Sequence, residues 1–196
     1  GTDAEIGDLL INEGNAYNNA GSYDEALSVS LEAYTIFENL NDKRCMARSL
    51  TVSGNVYRKL RDYEKALVDY EKALSIAREI HDPRLESANL GNVGNLYVAK
   101  ESYDTALTYY LASKNIREQL GDRSLIAGSF NMLGGLYLNK GQDSVYVESW
   151  GLLLDTAMQY YLSSLEISKK TGDRRGQVAS LHNVAGVLLL QDNPDK

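Results

Sequence analysis

The tetrapeptide Gly14-Asn15-Ala16-Tyr17 decides the fold, because similar tetrapeptides follow it at intervals of 40 residues. The later copies are Gly54-Asn55-Val56-Tyr57, Gly94-Asn95-Leu96-Tyr97 and Gly134-Gly135-Leu136-Tyr137. A second motif keeps the same spacing until its fourth copy, which comes eleven residues late: Tyr23-Asp24-Glu25-Ala26-Leu27, Tyr63-Glu64-Lys65-Ala66-Leu67, Tyr103-Asp104-Thr105-Ala106-Leu107 and Leu154-Asp155-Thr156-Ala157-Met158. Repetition at such a period is typical of stacked supersecondary structures.

Each repeat has the pattern of two amphipathic helices. In the second repeat, Met46, Leu50, Gly54 and Tyr57 recur at three- and four-residue intervals, which indicates one apolar helix face. The same periodicity along the chain predicts nine helices near 3–19, 23–39, 43–60, 63–80, 83–99, 103–120, 123–139, 154–171 and 174–190.

The turns between repeats carry the residue types that end and begin helices. A left-handed residue is expected just after each second helix, where Gly or Asn is favoured. These positions hold Asn41, His81, Gly121 and Gly172. The aspartates that follow are expected to cap the next helix: Asp42, Asp82, Asp122 and Asp173.

A single hairpin cannot bury its own apolar face, so neighbouring hairpins must stack. We therefore predict an all-α, right-handed superhelical solenoid of four hairpins plus a terminal helix, forming a single array over residues 1–196. The predicted repeats are 2–41, 42–81, 82–121, 122–172 and a partial fifth, 173–196, and the fourth contains an eleven-residue insertion at 142–152.

The recurring positions resemble the tetratricopeptide repeat. The residues that carry the resemblance in the second repeat are Leu50, Gly54, Asn55, Tyr57, Tyr63, Ala66, Leu67, Tyr70 and Ala73. The usual repeat is shorter, so this chain is similar to the long variety in kinesin light chains, Pins-type adaptors and bacterial signalling proteins. The resemblance implies protein–protein interaction, with the first helix of each hairpin lining a concave groove.

Composition argues against several other classes of protein. The net charge of −7 and the pI near 4.9 disfavour nucleic-acid binding, and no apolar run is long enough to insert into a membrane. The single cysteine and two separated histidines predict no metal site and no cofactor. No catalytic motif is present, so we expect no enzyme. The chain begins with Gly-Thr and stops inside its fifth repeat, so we expect a fragment of a longer, cytoplasmic protein, although a periplasmic location stays open.

The groove is the predicted peptide-binding site. Asn15, Asn55 and Asn95 resemble the asparagine ladders with which long-repeat adaptors hold a peptide backbone, since a carboxamide both donates and accepts hydrogen bonds. The predicted site also includes Arg44, Arg48, Arg58, Arg84 and Asn131. A basic groove in an acidic protein favours an acidic ligand. The alternatives are a solvated surface for the arginines and hydrogen bonding between helices for the asparagines.

Two further contacts are predicted. Trp150 and Tyr146 of the insertion could form a loop that contacts a partner, although Trp150 could equally pack its own loop against the array. The unfinished apolar end at 187–190 could form a homodimer. Two functions remain open: the regulatory or sensory module of a larger signalling protein, or a free-standing adaptor.

Overall fold

The computed structural model describes residues 2–143 and 149–192. In this part of the chain it contains nine α-helices and no strand. Their bounds are α1 Asp3–Ala20, α2 Tyr23–Asn39, α3 Lys43–Lys59, α4 Tyr63–Glu79, α5 Pro83–Ala99, α6 Tyr103–Gln119, α7 Arg123–Gln142, α8 Trp150–Thr171 and α9 Arg174–Asp192. The prediction of an all-α chain is confirmed.

Every helix except α8 begins at the predicted residue, and the caps explain why. Asp42 Oδ1 accepts a hydrogen bond from the Cys45 amide at 3.0 Å, and Asp122 Oδ1 accepts one from the Leu125 amide at 3.2 Å. Each bond satisfies an amide that has no partner inside the helix. The predicted left-handed residues are also found, with φ values from 52° to 71°: Asn41, His81, Gly121 and Gly172.

The insertion differs from its prediction. Residues 142–152 were expected to form a loop, but α7 extends to Gln142 and α8 begins at Trp150. Tyr146 lies outside the described residues. Trp150 is half-buried and packs beside the cluster of Leu154, Tyr161 and Val187. It belongs to α8, which begins upstream of the repeat motif at Leu154. The prediction of a loop at Trp150 is therefore wrong.

The chain divides into two compact units, Gly1–Leu96 and Tyr97–Lys196, each with its own core. In the first unit, α3 packs against α1, α2 and α4 around a cluster that contains Ile11, Phe37 and Val52. In the second unit, α7 packs against α6, α8 and α9. The single array and the right-handed superhelical path remain predictions.

Small residues bring the two helices of a hairpin together in both units. The recurring alanines of the second helices are fully buried: Ala26, Ala66, Ala106 and Ala157. A Cβ added at Gly54 would lie 2.7 Å from the Tyr70 ring, and one added at Gly134 would lie 2.7 Å from the Tyr161 ring. Both glycines are therefore required for close approach, because real Cβ atoms do not come this near to an aromatic carbon.

Candidate functional site in the first unit

The predicted ladder residues lie on α1, α3 and α5, at the same position of three consecutive repeats. Asn18 and Arg58 lie one turn further along α1 and α3 than the ladder residues. We call these five side chains the first-helix face: Asn15, Asn18, Asn55, Arg58 and Asn95. Asn15 is exposed, and Asn55 and Asn95 are half-buried. All five belong to the first compact unit.

Asn55 is held in place by a tyrosine of the partner helix. The Tyr70 hydroxyl donates a hydrogen bond to Asn55 Oδ1 at 2.8 Å, and the closeness of α3 and α4 at Gly54 permits this reach. The Asn55 amide nitrogen donates to no other described residue. The hydrogen bond thus fixes the carboxamide and leaves its two N–H donors for a ligand.

Arg58 lies beside the same tyrosine. Burial raises the pKa of Tyr70 to about 12, and the positive charge of Arg58 and a hydrogen bond from it oppose that rise. Arg58 itself is half-buried, and its Nε atom is buried without a hydrogen-bond partner among the described residues. A buried N–H with no acceptor is costly, so Arg58 gains from any acceptor brought close to it.

Asn18 on α1 occupies the position that Arg58 occupies on α3, 40 residues later. Its side-chain oxygen Oδ1 is likewise buried without a partner among the described residues. In the described part of the first unit, these are the two buried side-chain polar atoms that lack a partner. One is an acceptor and the other a donor, which is the pair of functions that a peptide group complements.

Asn15 is bound differently from Asn55. Its amide nitrogen donates to the Ile11 carbonyl of the same helix at 3.0 Å, so the side-chain oxygen is the group left over. The first repeat has Ser30 where the second has Tyr70, and no hydroxyl from α2 orients Asn15. The two carboxamides therefore offer different groups to a ligand, the N–H groups of Asn55 and the oxygen of Asn15.

Two of the predicted arginines already have acidic partners. Arg48 Nη1 lies 2.8 Å from Asp8 Oδ1, which joins α3 to α1. Arg44 Nη2 lies 2.9 Å from Asp82 Oδ2, the capping residue before α5. Arg84 is exposed on α5. The predicted groove is consequently less basic than the sequence suggested, because the sequence analysis predicted only a capping role for Asp82.

Asn131 and Trp150 belong to the second unit. The Ser180 hydroxyl lies 3.3 Å from Asn131 Oδ1 and 3.0 Å from Ser164 Oγ and can donate its one proton to either, so Asn131 takes part in a polar network with α8 and α9. Trp150 lies over Gly141, where an added Cβ would be 3.3 Å from its ring. Both residues have structural contacts of their own.

Sequence reasoning missed Tyr70 as a member of the site. The recurrence of tyrosine at positions 70, 110 and 161 indicated packing, and Tyr70 is indeed fully buried. What the repeat pattern did not show is that the hydroxyl of Tyr70 meets Asn55 across the hairpin.

In the described residues, no group of three or more histidine, cysteine or acidic side chains is placed to hold a metal ion. Among the described helices, none is both long and apolar enough to cross a membrane.

Both compact units define a class of all-α protein built from helical hairpins, and in the first unit the first helices of the hairpins carry a polar face. A tetratricopeptide repeat profile matches residues 5–79. This part of the chain is therefore identified as tetratricopeptide repeat sequence, and the repeat supports a protein-interaction scaffold. No curated protein sequence matches the chain.

Solved structures extend the likeness over nearly the whole chain. The signal transduction ATPase with numerous domains from Pyrococcus horikoshii, which has a tetratricopeptide repeat sensor, is 18% identical with a TM-score of 0.71, over 95% of this chain and 28% of its own. A Rap protein complexed with competence and sporulation factor is 16% identical with a TM-score of 0.69, over 97% of this chain and 56% of its own.

A third structure, of kinesin light chain-like repeats from Podospora anserina, is 12% identical with a TM-score of 0.61, over 98% of each chain. At these identities the likenesses show the fold alone, an all-α repeat solenoid. The chain spans about a quarter of the ATPase and just over half of the Rap protein.

Proposed function

We propose that the first-helix face holds an extended peptide segment of a partner protein, and that the chain catalyses no reaction. The observation that carries this proposal is the pair of unpartnered buried atoms, Asn18 Oδ1 and Arg58 Nε, at the same position of consecutive repeats. An extended peptide presents donors and acceptors alternately along its length. Both atoms are closed to solvent in this conformation, so the side chains of Asn18 and Arg58 must rotate outward to meet the peptide. The peptide then complements an acceptor on α1 and a donor on α3 at once.

Asn55 supplies the second element of the proposed grip. Because the Tyr70 hydroxyl occupies Asn55 Oδ1, the carboxamide cannot rotate freely and its N–H groups keep one direction. A preoriented donor costs less entropy to bind than a mobile one. Asn15 and Asn95 would extend the same row of hydrogen bonds to the neighbouring repeats.

Charge supports an acidic ligand in a limited way. Arg58 is the one cation among the residues of the first-helix face, and its buried Nε has no hydrogen-bond acceptor among the described residues. A carboxylate of the ligand would supply that acceptor. Arg44 is 66% exposed despite its ion pair with Asp82, so it can still attract an approaching acid. Arg48 shares its charge with Asp8, and such exposed charges steer association more than they strengthen the complex.

We infer further that the chain is the regulatory or sensory module of a larger signalling protein. The ATPase of similar fold is described as having a tetratricopeptide repeat sensor, and the chain spans only 28% of it. The Rap protein of similar fold was solved in complex with competence and sporulation factor. A free-standing adaptor is the alternative, since the kinesin light chain-like repeats match this chain over almost their whole length.

The test begins by selecting binders from a random dodecapeptide library against the parent chain, followed by titration of the selected peptides. Asn55→Ala should weaken every selected peptide about 2- to 13-fold, which corresponds to about 0.5–1.5 kcal/mol for one hydrogen bond. Arg58→Gln should weaken acidic peptides more than neutral ones.

The control is Asn139→Ala, which removes an exposed asparagine from a first helix of the second unit. Asn139 donates to the Gly135 carbonyl of its own helix, as Asn15 does to that of Ile11. It should leave affinity unchanged. Selected peptides that bind a folded Asn55→Ala, Arg58→Gln variant as tightly as the parent would show that this face is not the site.

A further inference from the structure

A cleft of about 540 Å³ opens on another surface of the first unit, between α2 and α4 and above α3. Its walls include Leu27 and Leu31 from α2, Leu50 and Tyr57 from α3, and Asp69 from α4. None of the residues of the first-helix face contributes to it. Its volume lies within the range of small-molecule sites.

The cleft lies where a tyrosine of the later repeats is missing. Asp69 stands where the third and fourth repeats have Tyr109 and Tyr160. Aspartate has only three heavy atoms beyond Cβ, so a space of about the size of one aromatic ring stays open beside it.

The later repeats show what occupies the equivalent space. The ring of Tyr109 stacks on that of Tyr97, with centroids 5.5 Å apart and an interplanar angle of 11°. The ring of Tyr160 stacks on that of Tyr137 at 5.6 Å and 17°. Tyr57 is the equivalent of Tyr97 and Tyr137, but it faces the cleft without such a ring from α4.

A lysine near Tyr57 does not prevent stacking. Lys65 Nζ lies 5.3 Å from the centroid of the Tyr57 ring. Tyr97 likewise has Lys100 Nζ at 5.8 Å while it stacks on Tyr109. A tyrosine at this position of the repeat thus accommodates a cation and an aromatic ring together.

Asp69 gives the cleft its chemical preference. The Ser53 hydroxyl donates to Asp69 Oδ2 at 2.5 Å, and the other carboxylate oxygen accepts no hydrogen bond from a described residue. Burial raises the pKa of Asp69, against the opposing effects of Ser53 and Lys72. A partly desolvated carboxylate with an open oxygen favours a hydrogen-bond donor or a cation.

We propose that this cleft binds an aromatic ring carrying a hydroxyl or ammonium group. The ring stacks on Tyr57 in the place of the missing tyrosine, and its donor reaches the open oxygen of Asp69. The ring belongs either to a small aromatic amine or to a tyrosine side chain of a partner protein. The site is independent of the proposed function, since it uses different residues.

The experiment is a calorimetric titration of the full chain with two probes, tyramine for the free amine and N-acetyl-tyrosinamide for the protein side chain. We expect at least one probe to bind with a dissociation constant of about 1 mM or lower, the affinity that a ligand of roughly ten heavy atoms reaches in a modest site. The tighter probe identifies the source. Cyclohexylamine, which has the ammonium group without the aromatic ring, should bind at least about fivefold more weakly than tyramine if stacking contributes as aromatic pairs do.

Two variants of Asp69 test the assignment. Asp69→Tyr restores the tyrosine of the repeat and should abolish binding, whereas Asp69→Asn keeps the cleft and should weaken binding about fivefold or more by removing the charge. Glu71→Tyr is the matched control, because it adds a tyrosine at an exposed position of α4 outside the cleft lining. It should leave affinity unchanged.

Three results would overturn the proposal: no heat from either probe with the parent chain, binding to Asp69→Tyr equal to that of the parent, or equal affinity for Asp69→Asn and the parent. If Asp69→Tyr does not fold, the Asp69→Asn comparison still decides. Asn55→Ala should not affect these titrations, so a failure of this site and a failure of the peptide site are distinguishable.

Discussion

The hairpin of α3 and α4 and the hairpin of α7 and α8 share one helix-packing contact but differ in the side chains beside it. In both, a glycine of the first helix accepts the ring of a tyrosine from the second: Gly54 with Tyr70, and Gly134 with Tyr161. Burial raises the pKa of both tyrosines to about 12. The two hairpins therefore pack their helices in the same way.

The differences are concentrated beside that shared contact. Asn55 meets the Tyr70 hydroxyl, whereas the fourth repeat has Gly135, whose added Cβ would lie 3.6 Å from the Tyr161 hydroxyl. Asp69 replaces the stacked ring of Tyr160. The second hairpin is thus polar where the fourth is aromatic or empty. Packing positions repeat along the chain, and the candidate sites lie where the repeat departs from its own pattern.

The largest predicted effect tests the shared contact between the glycine of the first helix and the tyrosine of the second. Gly54→Val and Gly134→Val should each lower the free energy of unfolding by about 3 kcal/mol or more, because the new side chain meets a buried aromatic ring. Urea unfolding measures this for each variant. Gly186→Val is the control: apart from its chain neighbours and the nearby backbone of its own helix, no heavy atom lies within 4 Å of its added Cβ, and its effect should stay within about 0.5 kcal/mol. Equal stability of all three variants would show that close approach at these glycines is unimportant.

The helices and their packing faces could be predicted from the sequence because they depend on local signals that recur in each repeat. Helix starts follow from aspartate caps such as Asp42 and Asp122, and the packing face follows from three- and four-residue spacing. The predicted start of α8 was wrong because it followed the fourth copy of the repeat motif at Leu154, whereas the helix begins after Ser149, whose side chain makes no capping hydrogen bond. Helical hydrogen bonding there continues upstream of the repeat motif.

The site was predicted only in part, because its geometry depends on contacts between helices. The ladder positions were found by register, but the bond from Tyr70 to Asn55 spans 15 residues and the ion pair of Arg48 with Asp8 spans 40. Neither pairing has a local signature. At the position of Asp69 the third and fourth repeats have tyrosines but the first repeat has Val29, so the sequence did not mark Asp69 as a site, and the open volume beside it needed the structure.

A smaller effect sharpens the contrast between Asn55 and Gly135. Tyr70→Phe should lower the free energy of unfolding by about 0.5–1.5 kcal/mol, because it removes a buried hydrogen bond. Tyr161→Phe should change it less, since the Tyr161 hydroxyl has no hydrogen-bond partner among the described residues. A double-mutant cycle of Asn55→Ala and Tyr70→Phe measures the pair directly.

The same contrast can be reversed. Gly135→Asn offers the Tyr161 hydroxyl a carboxamide at the position that Asn55 occupies in the second repeat. In that background, Tyr161→Phe should become as costly as Tyr70→Phe. If it stays without effect, then the register of the two hairpins is less alike than the glycine contacts indicate.

The smallest expected effect concerns Asp69 and depends on pH. Burial raises the pKa of Asp69 above its ordinary value of 3.8, so the folded chain binds this proton more tightly than the unfolded chain. The contribution of Asp69 to the free energy of unfolding is therefore greatest below about pH 3.8 and falls as the pH rises through the folded pKa. Asp69→Asn cannot lose a proton, so at pH 7 it should be more stable than the parent, and the difference should vanish near pH 3. Because Asp69 is only half-buried, solvent screening limits the gain to about 1 kcal/mol or less.

Ser53→Ala supplies the opposite change at the same carboxyl group. The Ser53 hydroxyl donates to Asp69 Oδ2 and lowers its pKa, so its removal should raise that pKa further. The parent's fall in stability should then become larger and extend to higher pH. Urea unfolding from pH 3 to pH 7 measures both variants, and the Asp69 carboxyl carbon followed by NMR reports the titration itself. If Asp69→Asn is less stable than the parent at pH 7, then the hydrogen bond from Ser53 outweighs the effect of burial. The ionised carboxylate would in that case stabilise the second hairpin, although it stands where the fourth hairpin has the ring of Tyr160.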